Sequence, residues 1–312
     1  MTFNEPISFA PLYKHRIWGG RQLKYRLGRE LPPETAIGES WELVDREEDQ
    51  SVVSEGPHAG LTLHELWTQH RAAVFGPAAP DLPRFPLLAK ILDAREKLSV
   101  QVHPPAHLAA ELKGEPKTEM WYLLDAETEA DLFVGFRNGV TRDSFDAALK
   151  TGTCAELLHR LPVKAGDFIF IPSGRCHAIG AGCFIIEIQQ NSDTTYRVFD
   201  WNRVDDAGKP RELHIAQSLA SIDFTDHEPE LGQPNGETLV SCEHFRVDRW
   251  KLTSTRRDDE EVGSIFTVVA GTVQCGGREF RCGDFFLLPA TATDRDLTPI
   301  TPDATLLRSV AV

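Results

Sequence analysis

The chain has 312 residues, 41% of them hydrophobic, which is long enough for two domains or one large all-β unit. Its formal net charge is −14, from 33 Lys and Arg against 47 Asp and Glu, and no block of basic residues interrupts it. That balance argues against nucleic acid and anionic membrane surfaces as partners, so any anionic substrate must be drawn by a few locally placed cations. The N-terminus has neither the basic start nor the apolar run of a signal peptide, and no later apolar run approaches a membrane span. A cytoplasmic location is therefore expected, and the six cysteines, which lack CxxC spacing, read as reduced thiols.

In chain order, Trp18-Gly19-Gly20 and Gly38-Glu39-Ser40-Trp41 form two turn-and-aromatic clusters, whose Trp and Glu residues, Trp18 among them, are candidates for lining a pocket. Thr62-x-x-Glu65 is a capping box opening a helix that runs to Gly76. Leu87 to Leu92 reads as a buried strand. In the next strand, Ser99, Gln101 and His103 share one face and Leu98, Val100 and Val102 the other. Pro104-Pro105 opens a short helix over 106–113, ended by Gly114. Glu119 then begins a strand whose remainder is apolar, and 133–136 reads as another strand. Two short helices follow, 141–150 and 153–160, the second from the capping box Thr153-x-x-Glu156.

Residues 163–203 hold the densest group of polar side chains between strand-like runs. Two strands, 168–171 and 184–186, are joined by a tight connection carrying His177. Beyond them Glu187, Gln189, Asn191 and Asp193 alternate with other residues, a period of two that places them on one strand face. A turn is expected at 205–208 and a linker at 223–236, after which the pattern is all-β.

The stretch 164–172, KAGDFIFIP, returns as RCGDFFLLP at 281–289. A strand, a Gly-Asp turn, a strand and a Pro are the parts of a small double-stranded barrel. The expected fold is mainly β: two cupin-like jelly-roll barrels with a few short helices. The first domain spans 1–222 with a helical insert near 141–160, and the second spans 237–312. Position 294, which matches His177 in the repeat, is Asp, and no histidine follows His244. The second barrel is thus expected to lack metal ligands.

If the first barrel closes, Gln101, His103, Glu119 and His177 converge from separate strands. Two imidazoles, a carboxylate and an amide oxygen suit Zn²⁺ with one position left open. The pattern resembles the HxH…E…H set of metal-binding cupins with Gln in place of the first His, which argues against an iron oxygenase.

The strings 99–104 (SVQVHP), 117–122 (KTEMWY), 172–179 (PSGRCHAI) and 187–197 (EIQQNSDTTYR) resemble type I mannose-6-phosphate isomerases in their short bacterial form. The resemblance runs from Trp18 to Arg203 and more weakly beyond. It implies one zinc per chain on Gln101, His103, Glu119 and His177, with Arg197 catalytic. It implies interconversion of mannose 6-phosphate and fructose 6-phosphate by proton transfer between C1 and C2 through a cis-enediol. It further implies a hexose 6-phosphate as partner and a monomer or homodimer. Lys117 and Ser99, each two residues from a ligand, are phosphate candidates together with Arg197. Glu187 and Asp193 are both candidates for the base, and Lys117 is a further shuttle if the metal depresses its pKa. The alternative is a non-enzymatic metal- or sugar-binding cupin.

Overall fold

The computed structural model describes residues 1–204 and 208–312; of the turn expected at 205–208, only Gly208 falls among the described residues. The chain is mainly β, as expected, with its strands in antiparallel sheets and a few short helices. It divides into two compact units. One comprises Tyr13–Ser40 and Lys90–Gly232, the other Met1–Leu12, Trp41–Ala89 and Gln233–Val312. Residues 1–12 and 41–89 thus group with 233–312.

Two sheets make up the first barrel. One has the strand order Leu12–Gly20, Ile37–Leu43, Leu87–Ala94, Cys183–Gln190, Glu119–Ala126, Phe168–Ile171; the other has Tyr196–Phe199, Val100–Val102, His177–Ile179, Asp131–Phe136, Leu158–Pro162. Their inward side chains interleave in one core, in which Trp121, Leu123, Ile169 and Ile185 meet Leu132, Val134 and Ile179. The intervening residues Val102, Phe133 and Phe136 face the other way and are covered by apolar residues of the helices Arg142–Thr151 and Ile215–Ser221. Strand alternation thus decides which polar residues enter the barrel.

Several elements differ from their sequence reading. The capping box expected at Thr153 does not form: its side chain makes no capping bond, only a 3₁₀ turn, Cys154–Leu157, follows, and the chain then extends as Leu158–Pro162. Pairing with Asp131–Phe136 outweighs helix propensity there, with Leu161 opposite Leu132 and Arg160 ion-paired to Asp131. His177 lies not in a loop but in a strand of its own, His177–Ile179, in the sheet opposite Phe168–Ile171. The polar alternation ends at Gln190, so Asn191 and Asp193 lie in the bend that follows. The helix after Pro105 is only Ala106–Ala109, and the one after Thr62 breaks at His70 into Leu63–Gln69 and Arg71–Phe75. Residues 223–232 form no free tether. Asp226 accepts two hydrogen bonds from Arg175 (2.8 and 2.9 Å), Phe224 stacks on Phe136, and Gly232 N–H donates to Phe168 O at 2.8 Å.

The internal repeat survives at the level of single hydrogen bonds. Asp167 Oδ2 accepts from Lys164 N–H (2.9 Å) and Asp284 Oδ2 from Arg281 N–H (2.7 Å), closing the same turn over Gly166 and Gly283, both at positive φ. In matching registers Glu119 faces Ile171 in the first barrel, and Ser264 faces Leu288 in the second. By the same matching, Arg308 of the second barrel stands where Glu187 stands in the first. Arg308 is fully buried, 3.0 Å from Asp258, and Asp258 also accepts from Arg295 (2.8 Å) and Ser264 (2.7 Å). Ion pairs thus occupy, in the second barrel, the position that the carboxylate of Glu187 holds in the first.

Gly180 ends the strand that carries His177. Its N–H donates to Asp131 O at 2.9 Å, and a Cβ would run into the Asp131 carboxylate and carbonyl. Backbone atoms yield little, so Gly180→Ala is expected to destabilise the protein by about 2–3 kcal/mol, read as a lower urea midpoint at unchanged slope.

Candidate active site

Register places the site residues. Gln101, on the short strand Val100–Val102, is paired with Arg197 on one side and His177 on the other, so the three lie in one row across the sheet. From the opposite sheet, Lys117, Glu119 and Trp121 project at intervals of two from one strand and its approach, with Glu187 directly opposite Trp121 and Gln189 opposite Glu119. His103 follows the Gln101 strand by two residues.

His103, Glu119 and His177 are buried, and their ligand atoms lie within 4.8 Å of one another. Each histidine Nδ1 is bound to a backbone carbonyl, His103 to Thr194 O at 2.7 Å and His177 to Arg175 O at 3.0 Å. A carbonyl only accepts, so Nδ1 carries the proton in both rings and each Nε2 presents a lone pair. Both Nε2 atoms lie 3.6 Å from Glu119 Oε1. His103 Nε2 and both Glu119 oxygens are buried without a hydrogen bond. Such orphaned acceptors are costly unless something positive lies between them. The set therefore fits a metal ion.

The electrostatics favour the same protonation states. Burial pushes His177 down to about 3 against the pull of Glu119, and burial with the Lys117 charge lowers His103. Both rings stay neutral. Burial alone would raise Glu119, but Lys117, with Nζ 3.0 Å from Oε2, and the two histidines hold it well below the usual carboxylate range. Gln101 Nε2 lies 3.2 Å from His177 Nε2; with its amide turned over, Gln101 offers its oxygen to the same point.

Beside this cluster a cleft of about 470 Å³ is lined by Trp18, Ser99, Gln101, Lys117, Glu187, Asp193 and Arg197, all singled out from the sequence. Burial lowers the Lys117 pKa, but Glu119 and Glu187 outweigh burial and hold it above the ordinary lysine value. Arg197 donates to Ser99 Oγ (3.3 Å) and to Glu212 O (2.9 Å), while Asp200 is engaged by Arg203 (2.7 Å) and Arg211 (2.6 Å). Asp193 is exposed at the rim, whereas Glu187 is buried and its pKa is raised, by burial first.

Glu39, from the second turn-and-aromatic cluster, lines the same cleft, and the sequence reading missed Lys90, Arg16, Trp121 and Arg211, which line it too. Lys90 Nζ lies 3.2 Å from Glu187 Oε2 and 3.7 Å from Glu39 Oε2, and Arg16 donates to Glu39 at 2.8 Å. Lys90 sits in the apolar run 87–92, where a lone lysine in a fully buried strand was itself the signal.

A family model, "Phosphomannose isomerase type I, catalytic domain", matches residues 7–134. Mannose-6-phosphate isomerase ManA of Bacillus subtilis is 40% identical over 299 residues, covering 91% of this chain and 93% of that protein. The chain belongs to the type I phosphomannose isomerases. A second member, the mannose-6-phosphate isomerase of Streptococcus mutans, is 38% identical over 92% of this chain and 93% of its own length. Among solved phosphomannose isomerases, that of Bacillus subtilis superposes with a TM-score of 0.86 at 33% identity, covering 98% of this chain and 99% of the other. A mannose 6-phosphate isomerase solved with zinc and yttrium superposes at 0.75 with 16% identity, covering 98% and 99%, a likeness of fold.

Proposed function

We propose that this enzyme is a zinc-dependent mannose-6-phosphate isomerase that interconverts its substrate with fructose 6-phosphate by proton transfer between C1 and C2 through a cis-enediol. The observation that carries the reading is the group of orphaned acceptors on His103 and Glu119, beside His177, opening onto a cleft with fixed cations. His103, Glu119, His177 and the Gln101 amide oxygen would hold the zinc. When bound, zinc supplies a Lewis acid for the oxygens that gain charge as the enediol forms. A solved relative of the same fold carries zinc, which supports this choice of metal.

The remaining roles fall to the chain. Arg197, Arg211, Lys117 and the Ser99 hydroxyl hold the phosphate and the oxygens near it, the two guanidiniums offering forked donors and Lys117 a point charge. Glu187 takes the proton from one carbon and returns it to its neighbour. Its raised pKa brings it closer to neutrality, where a base both accepts and releases a proton readily. Trp18 walls the cleft. We assign the chemistry to the first barrel, leave the second without metal ligands, and place the enzyme in the cytoplasm; no helix of the described residues is long and apolar enough to cross a membrane.

The test is a coupled assay of mannose 6-phosphate conversion on chelator-stripped protein, before and after zinc is restored. Activity that disappears and returns with stoichiometric zinc is the expected result. Stoichiometric zinc without turnover would leave a metal- or sugar-binding cupin instead.

A further inference from the structure

Resting on that reading, we infer that Trp121 is a positioning residue for Glu187, tying down one carboxylate oxygen so that the other is presented for proton transfer. Trp121 and Glu187 are direct partners across adjacent strands. Side chains in that relation stand about 5 Å apart at their Cβ atoms, near enough for an indole to reach across. Trp121 Nε1–H donates to Glu187 Oε1 at 3.0 Å, and both side chains are buried, at 1% and 3% exposure. Glu187 Oε2 makes no hydrogen bond of good geometry and lies 3.2 Å from Lys90 Nζ. Oε2 is then the oxygen with a lone pair to spend on a carbon-bound proton.

Lys90 does not fix the carboxylate by itself, because an ammonium is a rotatable point charge and leaves the acid's terminal torsion free. The indole donates only, along one direction in its own plane, and so sets that torsion. The same ring meets His177 edge-on, with centroids 5.3 Å apart at 81°. Trp121 therefore spans the gap between a metal-binding ring and the base and fixes their separation. In the step it serves, the C–H bond breaks and an O–H bond forms at Glu187 Oε2. The electron pair enters the C1–C2 bond as the carbonyl oxygen gains a proton to give the enediol; a proton then returns from Oε2 to the adjacent carbon as the other hydroxyl gives up its own, with no oxidant or reductant consumed.

The experiment is a double-mutant cycle on the zinc-loaded full chain with mannose 6-phosphate: wild type, Trp121→Phe, Glu187→Gln and the pair. Phe keeps an aromatic ring beside His177 and removes the donor. Trp121→Phe is expected to lower kcat by about 10- to 100-fold, the usual cost of losing an orienting hydrogen bond, with KM and zinc stoichiometry within about twofold of wild type. In the Glu187→Gln background the same change should cost less than about threefold. Trp121→His, which keeps a ring N–H, should recover part of the loss, and it carries the test if Phe is not tolerated. The inference is overturned by a kcat within about twofold of wild type, by an equal loss in the Glu187→Gln background, or by loss of zinc. Absence of turnover in the zinc-loaded wild type would instead sink the isomerase reading.

Discussion

Replacing His177 with alanine is expected to remove stoichiometric zinc and to lower kcat/KM by about three orders of magnitude, the equivalent of about 4 kcal/mol of lost charge stabilisation. His177 is fully buried, its tautomer is set by Arg175 O, and its Nε2 is one of the converging ligand atoms. Alanine leaves Glu119 without one of its two imidazole neighbours, and His103 with the Gln101 amide makes a poor site alone. Two readouts separate this from damage to the fold. Metal analysis of dialysed protein should fall from one zinc per chain to near none. The melting temperature of the wild type should rise on zinc addition by mass action, while that of the variant should not respond. A variant that keeps one zinc per chain with full activity would show that the metal is held elsewhere.

Much of this site was legible because strand chemistry is periodic. Ser99, Gln101 and His103 declare their shared face by spacing alone, and Glu119 declares itself as a carboxylate opening an apolar strand. The repeat was legible for a similar reason, since a turn closed by Asp on a backbone N–H three residues earlier needs Gly and Asp in the same order each time. What escaped was whatever depends on a partner strand. Lys90 and Trp121 look like interruptions of apolar runs until Glu187 is brought beside them. The Thr153 box was misread because a cap states where a helix can begin, not whether pairing with Asp131–Phe136 will draw the chain out first. Arg211 shows no local sequence pattern, and its hydrogen bonds to Asp200 tie it to the cleft side of the barrel.

The two barrels share one plan and diverge at the positions where charge enters the interior. At the position of Glu119 the second has a serine, and at that of Glu187 an arginine answered by Asp258. The charge of Arg308 is faced by Asp258 at 3.0 Å and Glu260 at 3.2 Å, whereas His103 and Glu119 converge as a cluster of acceptors. The sign of the buried groups, acceptors converging in the first barrel and an arginine in the second, is what separates the two.

The same reasoning separates the two acids between which the sequence alone did not choose. Glu187→Gln is expected to lower kcat by about 10²–10⁴-fold, the range for loss of a general base, while Asp193→Asn should cost less than about tenfold. Glu187 is buried, hydrogen-bonded by Trp121, faced by Lys90 and shifted upward in pKa, with burial as the largest cause. Asp193 is exposed in the bend after Gln190, where water solvates the carboxylate and its orientation is free. Gln keeps the shape of Glu187 and an oxygen toward the Trp121 donor, so the fold and the zinc site should persist while proton acceptance is lost. Exchange of the substrate's C2 hydrogen with deuterated solvent gives a second readout, because it follows proton removal even when net conversion is slow. It should stop in Glu187→Gln and continue in Asp193→Asn. The reverse pattern would move the base to the rim of the cleft and leave Glu187 as the counter-charge that keeps Lys90 and Lys117 in place.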